Sequence, residues 1–371
     1  MITRADKSSS LLALIRDGKP MTLGQQLHLA ALLSVPAIIA QLSSIVMQYI
    51  DAAMVGHLGA DASAAIGLVS TSTWLFSGTC VAAATGFSVQ VAHKVGAGDL
   101  EGARAVLRQA LVATLSFSII VALTGAAVSG PLPEWLGGDA AIRRESSLYF
   151  LIFSLFIPAL QMNFLAGSML RCSGNMHVPS LLGVTMCVLD VIFNFLLIFP
   201  TRDFHAAGFS FTMPGAGLGV EGAALGTAGA EAVAAAVLLW YLFTRSKELR
   251  LIGEKRSFLP QGATLRKALR IGLPMGIEHA VICGAQIMTT VIVAPLGVFA
   301  IAANSFAITA ESLCYMPGYG IADAATTLVG PQGAYQEFRP YHRFHGNGDN
   351  GLHGGADVYL RSSDYRTDDS G

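Results

Sequence analysis

The sequence predicts an all-α integral membrane protein: a six-helix lobe repeated at a 238-residue offset, with the second lobe incomplete, making about eight transmembrane helices. Three observations predict it. Hydrophobic residues make up 53% of the chain and charged residues only 13%, the latter about half the share in a soluble domain. Eight apolar stretches reach the roughly 20 residues needed to cross a bilayer. Residues 27–65 match residues 265–303 at 11 of 39 positions without a gap, including Pro36 and Pro274, Gln48 and Gln286, and Leu58-Gly59 and Leu296-Gly297. An echo of that length is the mark of an internal repeat.

The spans fall in order at 27–50, 62–92, 105–130, 148–170, 179–199, 222–243, 269–293 and 299–329. The first and seventh carry Pro36 and Pro274, each of which removes a backbone hydrogen bond and lets its helix bend. The third follows the Gly96-Ala97-Gly98-Asp99 break, and the fifth follows Gly174-Asn175. The sixth opens with Gly219, Gly222 and Gly226 among alanines, a spacing that allows close helix packing. The same small faces suit helices that slide and helices that are simply packed tightly.

Positive charge sets the orientation, because lysine and arginine are retained on the cytoplasmic side. With the amino terminus inside, inner segments hold 16 basic residues, and outer loops hold only Arg143, Arg144 and Arg202. The expected organisation is a cytoplasmic amino terminus over 1–26, a first lobe over 27–243 and a cytoplasmic linker over 244–268. Helices seven and eight follow over 269–330, then a non-membrane tail over 331–371. The tail has seven glycines, six acids and no stretch that could span. A complete second copy of the lobe would run well past Gly371, so we expect a frame shift or truncation just after Gly330, the alternative being a natural soluble tail. The expected location is the cell (inner) membrane, multi-pass.

Several functions are excluded. A net charge of −1 leaves no basic surplus for nucleic acid. The five cysteines lie in or beside apolar segments without CxxC spacing, which reads as buried apolar packing. Residues 1–20 lack the apolar core of a cleavable signal. No HExxH, Walker, GxSxG or strand-linked GxGxxG pattern is present, so no enzyme, metal site or cofactor is expected.

Ordered motifs over 27–329 carry a resemblance. They are Pro36-Ala37-Ile38-Ile39-Ala40-Gln41 with Tyr49-Ile50-Asp51-Ala52-Ala53-Met54-Val55-Gly56-His57-Leu58-Gly59, then Val95-Gly96-Ala97-Gly98-Asp99, Leu170-Arg171-Cys172-Ser173-Gly174-Asn175, Asn194-Phe195-Leu196-Leu197-Ile198-Phe199 and Gly219-Val220-Glu221-Gly222-Ala223-Ala224. In this order and spacing the chain resembles the multidrug and toxic compound extrusion (MATE) transporters. The resemblance implies twelve helices in two lobes around a cavity of alternating access, exchanging a proton or sodium ion for an organic cation. This chain covers the first lobe and two helices of the second.

Ionisable groups in hydrocarbon cost about 3 kcal/mol on insertion scales, so each needs a reason. Asp190 and Asn194, four apart, share one helix face and could hold a proton, or sodium through oxygen ligands. A buried Asp–Asn bond that only packs helices fits the same pair. The resemblance implies an amide and an acid at this spacing with the acid second; here the order is inverted. It also places Asp51 at a coupling acid, and bending at Pro36 could bring Asp51 towards Asp190, although its distance from Leu27 also fits a solvated interfacial carboxylate. Glu278, beside His279, falls about one turn before a functional family glutamate and is expected in the substrate cavity with Gln41, or in an interhelical hydrogen bond. Glu231 and Glu311 are weaker candidates.

The leading expectation is therefore cation-coupled export of small organic cations, with a coupling proton or sodium ion, the lipid bilayer as surroundings and no obligate protein partner. The alternatives are a non-transporting truncated fragment and a lipid-linked oligosaccharide flippase. The flippase would need cavity arginine and lysine for pyrophosphate, which the helices almost lack.

Overall fold

The computed structural model of the chain describes residues 22–206, 209–251 and 258–329, together with Leu11. The tail 331–371, most of segment 1–26 and linker residues 252–257 lie outside the described residues. Eight helices among the described residues are long and apolar enough to span: α1 (Leu23–Gly56), α2 (Ala60–Gly96), α3 (Leu100–Val128), α4 (Ala140–Cys172), α5 (His177–Ile198), α6 (Gly219–Thr244), α7 (Gly262–Val293) and α8 (Val298–Val329). The chain is a multi-pass membrane protein.

Most helices overrun their predicted spans, because hydropathy detects only the part suited to lipid. The Thr22 hydroxyl accepts from Gln25 N while Gln25 Oε1 accepts from Thr22 N, a capping box that starts α1 before its apolar run. Asp139 caps α4 by accepting from Ala141 N at 2.9 Å, so the polar turns around Arg143 and Arg144 are helical too. The start of α7 at Gly262 shortens the linker expected over 244–268, since Arg266 and Lys267 are good helix formers once their charges are solvated. A further correction lies between α5 and α6. The expected outer loop there contains an antiparallel hairpin, β1 (Pro200–Ala206) and β2 (Phe209–Ala216), with Ala206 opposite Phe209.

Helices α2, α3, α4 and α6 share the main apolar core, built on Phe87, Val91, Leu107, Leu165, Met169, Leu238 and Leu242. Leu249 of the linker is buried in it. The arrangement of α1, α2, α7 and α8 is crossed. Consecutive helices α1 and α2 barely touch, as do α7 and α8, whereas α1 packs on α8 and α2 on α7 along long seams. Small residues permit the closeness: a Cβ on Gly272 of α7 would stand 2.7 Å from Ala82 O of α2, and one on Gly320 of α8 would stand 2.9 Å from Ile38 Cα of α1. The turns α1–α2 and α7–α8 also share a backbone conformation, with Gly59 at φ +119° and Gly297 at φ +100°, a region that glycine alone enters freely.

Candidate functional site

Near its carboxyl-terminal end α1 carries Asp51, and α5 carries Asp190 and Asn194 one turn apart, facing it. Asn194 Nδ2 donates to Asp51 Oδ1 at 2.9 Å and to Asp190 Oδ2 at 3.1 Å. One amide thus bridges two carboxyl groups on two helices. Asp190 is 1% exposed and Asn194 fully buried, so neither faces bulk solvent. Thr227 of α6 also reaches the Asp190 carboxyl. Even so, Asp190 Oδ1 and Asn194 Oδ1 have no hydrogen-bond partner among the described residues. Each such orphan costs about 1–3 kcal/mol when buried.

Local sequence explains the seat. A Cβ on Gly226 would occupy the place of Asn194 Oδ1, and one on Gly222 would stand 2.5 Å from Leu197 O. The glycine spacing of α6 lets α5 approach until the amide sits against bare backbone. Across α1 and α5, Ser44 Oγ and Cys187 Sγ are 3.8 Å apart. Two carboxyl groups sharing one amide in apolar surroundings repel unless a positive charge intervenes. The trio is therefore chemically suited to a proton or a small cation at its orphan oxygens.

A cavity of about 350 Å³ lies between the carboxyl-terminal parts of α1 and α5, lined by Ile50, Ala53, Met54, His57, Phe195, Phe199 and Arg202 and not by the trio itself. The Arg202 guanidinium lies 4.0 Å from the Phe199 ring centroid and 5.2 Å from that of Phe195, a cation–π stack that places the base of the hairpin beside the cavity.

Other sequence candidates lie elsewhere. Gln41 is half-buried on α1, about 15 Å along the axis from Asp51 at 1.5 Å per residue. Glu278 is exposed on α7, which packs on α2 and not on α1 or α5. Its neighbour His279 turns the other way: its imidazole fills the space a Gly78 side chain would need, with Nε2 3.3 Å from Trp74 O. Glu311 is exposed on α8. Sequence reasoning missed Asn163 and Thr227. Asn163 Nδ2 donates to Glu231 Oε2 at 2.6 Å. The signal was available, because Asn163 is an amide within an apolar span, and Thr227 lies one turn before Glu231 on α6.

The MatE family model matches residues 36–196. Among curated relatives, the probable multidrug resistance protein NorM of Thermotoga maritima is 27% identical over 304 residues, covering 80% of this chain and 61% of that protein. The protein of that name from Geobacillus kaustophilus is 25% identical over 300 residues, covering 80% and 63%. The chain thus spans a little over three-fifths of the length of these relatives. Two solved structures share the fold. The MATE multidrug transporter DinF-BH superposes with a TM-score of 0.74 at 20% identity, covering 84% of this chain and 67% of that one. An outward-facing multidrug resistance MATE family transporter of the MOP superfamily superposes with a TM-score of 0.70 at 21% identity, covering 88% and 70%.

Proposed function

Because the chain belongs to the MATE family of transporters, we propose that it is a cation-coupled antiporter exporting organic, often cationic, compounds by alternating access. The coupling ion in this reading is a proton or sodium. The observation that carries it is the Asn194 amide shared by Asp51 and Asp190, with two buried oxygens beside it left without partners. A cation at those oxygens neutralises the trio and holds α1 to α5. Its departure leaves two carboxylates in mutual repulsion, and Pro36 gives α1 a place to bend in response.

The crossed seams α1–α8 and α2–α7 support a two-lobe reading with first lobe 27–243 and the start of the second at 269–330. In this reading Gln41 and Glu278 line the substrate cavity, and the basic residues of the α2–α3 turn and the linker face the cytoplasm, as the amino terminus does, in the inner membrane. The names of the NorM relatives support organic compounds as cargo.

The test is reconstitution of the purified protein in liposomes loaded with a fluorescent organic cation. Dye flux is expected when a proton or sodium gradient is imposed, and Asp190→Asn is expected to abolish its dependence on that gradient. Flux that ignores both gradients, or no flux from protein whose helical content is intact, would refute the proposal.

A further inference from the structure

The acids of the first lobe extend beyond Asp51 and Asp190. Glu231 of α6 is half-buried, with Oε2 2.6 Å from Asn163 Nδ2 of α4, and the same amide nitrogen lies 3.7 Å from Met186 Sδ of α5. Asp190 acts on Glu231 electrostatically from α5. Asp190, Asp51 and Glu231 all act electrostatically on Cys187 of α5, and Asp51 and Asp190 on Tyr149 of α4. Among the described residues, no basic side chain is one of the groups acting on Asp51, Asp190 or Glu231.

Three carboxyl groups so placed cannot all be ionised in a low-dielectric interior, because each added negative charge disfavours the next. The orphan oxygens of Asp190 and Asn194, buried at 1% and 0% exposure, can accept one positive charge or hydrogen. A single cation there leaves Glu231 uncompensated. We propose that Glu231, oriented by Asn163, is a second cation site of the lobe, and that its occupant is a proton.

Sodium is a hard cation that takes several oxygen ligands. The hydrogen-bond partner of Glu231 is instead an amide N–H, itself shared with the Met186 thioether, and a donor of that kind is wrong for sodium and harmless to a neutral carboxyl group. The proton forms an O–H bond at Glu231 Oε1 while Oε2 goes on accepting from Asn163. It comes from water in the opened cavity and returns to water when the cavity opens on the other side; no electrons move and no other bond breaks. This rests on the antiporter reading for its consequence, that a transport cycle carries more positive charge than the Asp51–Asp190–Asn194 trio alone would carry.

The test does not require transport. Difference infrared spectra of the purified full chain between acid and alkaline pH read the C=O band of protonated carboxyl groups directly. Glu231→Gln, which keeps an acceptor for Asn163, is expected to remove one component of that band and leave the Asp190 component, while Asp190→Asn does the converse. A band unchanged by Glu231→Gln overturns the proposal and leaves the trio untouched; loss of the Asp190 component alone speaks to the trio and not to Glu231. Should Glu231→Gln lose its helical circular dichroism, Glu231→Asp is read instead. A shifted component is expected, and an unshifted one overturns the proposal.

Discussion

Asp51 on α1 and Asn194 on α5, 143 positions apart in the chain, are joined by a 2.9 Å hydrogen bond in which the amide donates. By comparison, Ser44 and Cys187 of the same two helices stand 3.8 Å apart. The bond makes the position of α1 depend on the charge state of a buried pair. A hydrogen bond to a charged group contributes about 1.5–3 kcal/mol, enough to shift a two-state helix position by about tenfold or more.

The inverted order of acid and amide on α5 can be tested by exchange. Asp190→Asn alone is expected to lower gradient-driven dye flux by about tenfold or more, from loss of one charge-assisted contact. The double exchange Asp190→Asn with Asn194→Asp keeps one acid and one amide on the same face of α5 and is expected to recover flux to within a few-fold of the parent. Equal loss in the single and double variants would show that the position of the acid, and not its presence on that face, is what the cation requires.

Gly226 is expected to be far harder to replace than Gly229, three positions on in α6. A methyl group there collides with Asn194 Oδ1, whereas one on Gly229 meets Phe193 Cδ2 at an ordinary 3.4 Å. Gly226→Ala should therefore lower the thermal midpoint in detergent, with an overpacking cost of about 1–3 kcal/mol, and Gly229→Ala should leave it nearly unchanged. Equal midpoints in the two variants would mean that the amide can retreat, and that the trio is not held as tightly as its geometry indicates.

The eight spans were legible because an apolar run of bilayer length, in a chain this poor in charge, rarely forms anything but a membrane helix. Asp190 and Asn194 were legible as a pair because helical spacing alone puts them on one face. Asp51 was harder: counted from Leu27 it lies far along its helix, and only the packing of α1 on α5 brings it to Asn194. The hairpin was hidden because two short strands between apolar helices leave no period long enough to read. Glu278 and His279 show the limit most clearly. Adjacent residues point about 100° apart on a helix, and sequence could not say that α2 would lie against His279 and leave Glu278 exposed.

At the turn between α2 and α3, Lys94 Nζ lies 2.7 Å from Asp99 Oδ2, and Gly102 N donates to Asp99 Oδ1. The Lys94 contact, helped by that N–H, holds the Asp99 carboxyl below the ordinary carboxylate range. The sign follows from a lowered folded-state value: the stabilisation is present above the ordinary range and is lost as pH falls through the folded value. Asp99→Asn keeps the cap and removes the charge. The thermal midpoint of the parent should exceed that of the variant at neutral pH, and the gap should close on acidification. The gap is expected to be small, since both side chains are exposed to solvent and screened. A gap that persists in acid would assign the effect to the cap and not to the ion pair.

The seam between α2 and α7 offers a paired test. The His279 imidazole occupies the space that any side chain at Gly78 would need, and it reaches Trp74 O at 3.3 Å. Gly78→Ala should therefore displace the imidazole and lower stability by about 1–3 kcal/mol through overpacking. His279→Ala removes the obstruction but leaves a cavity, with its own cost of about 2 kcal/mol or more. If the two residues meet as described, the double variant refills part of that space, and its loss should be smaller than the sum of the single losses. Residues in contact commonly show coupling of about 0.5–3 kcal/mol in such cycles. Strict additivity in thermal or denaturant unfolding would separate the two helices at this depth and remove the seam's tightest point.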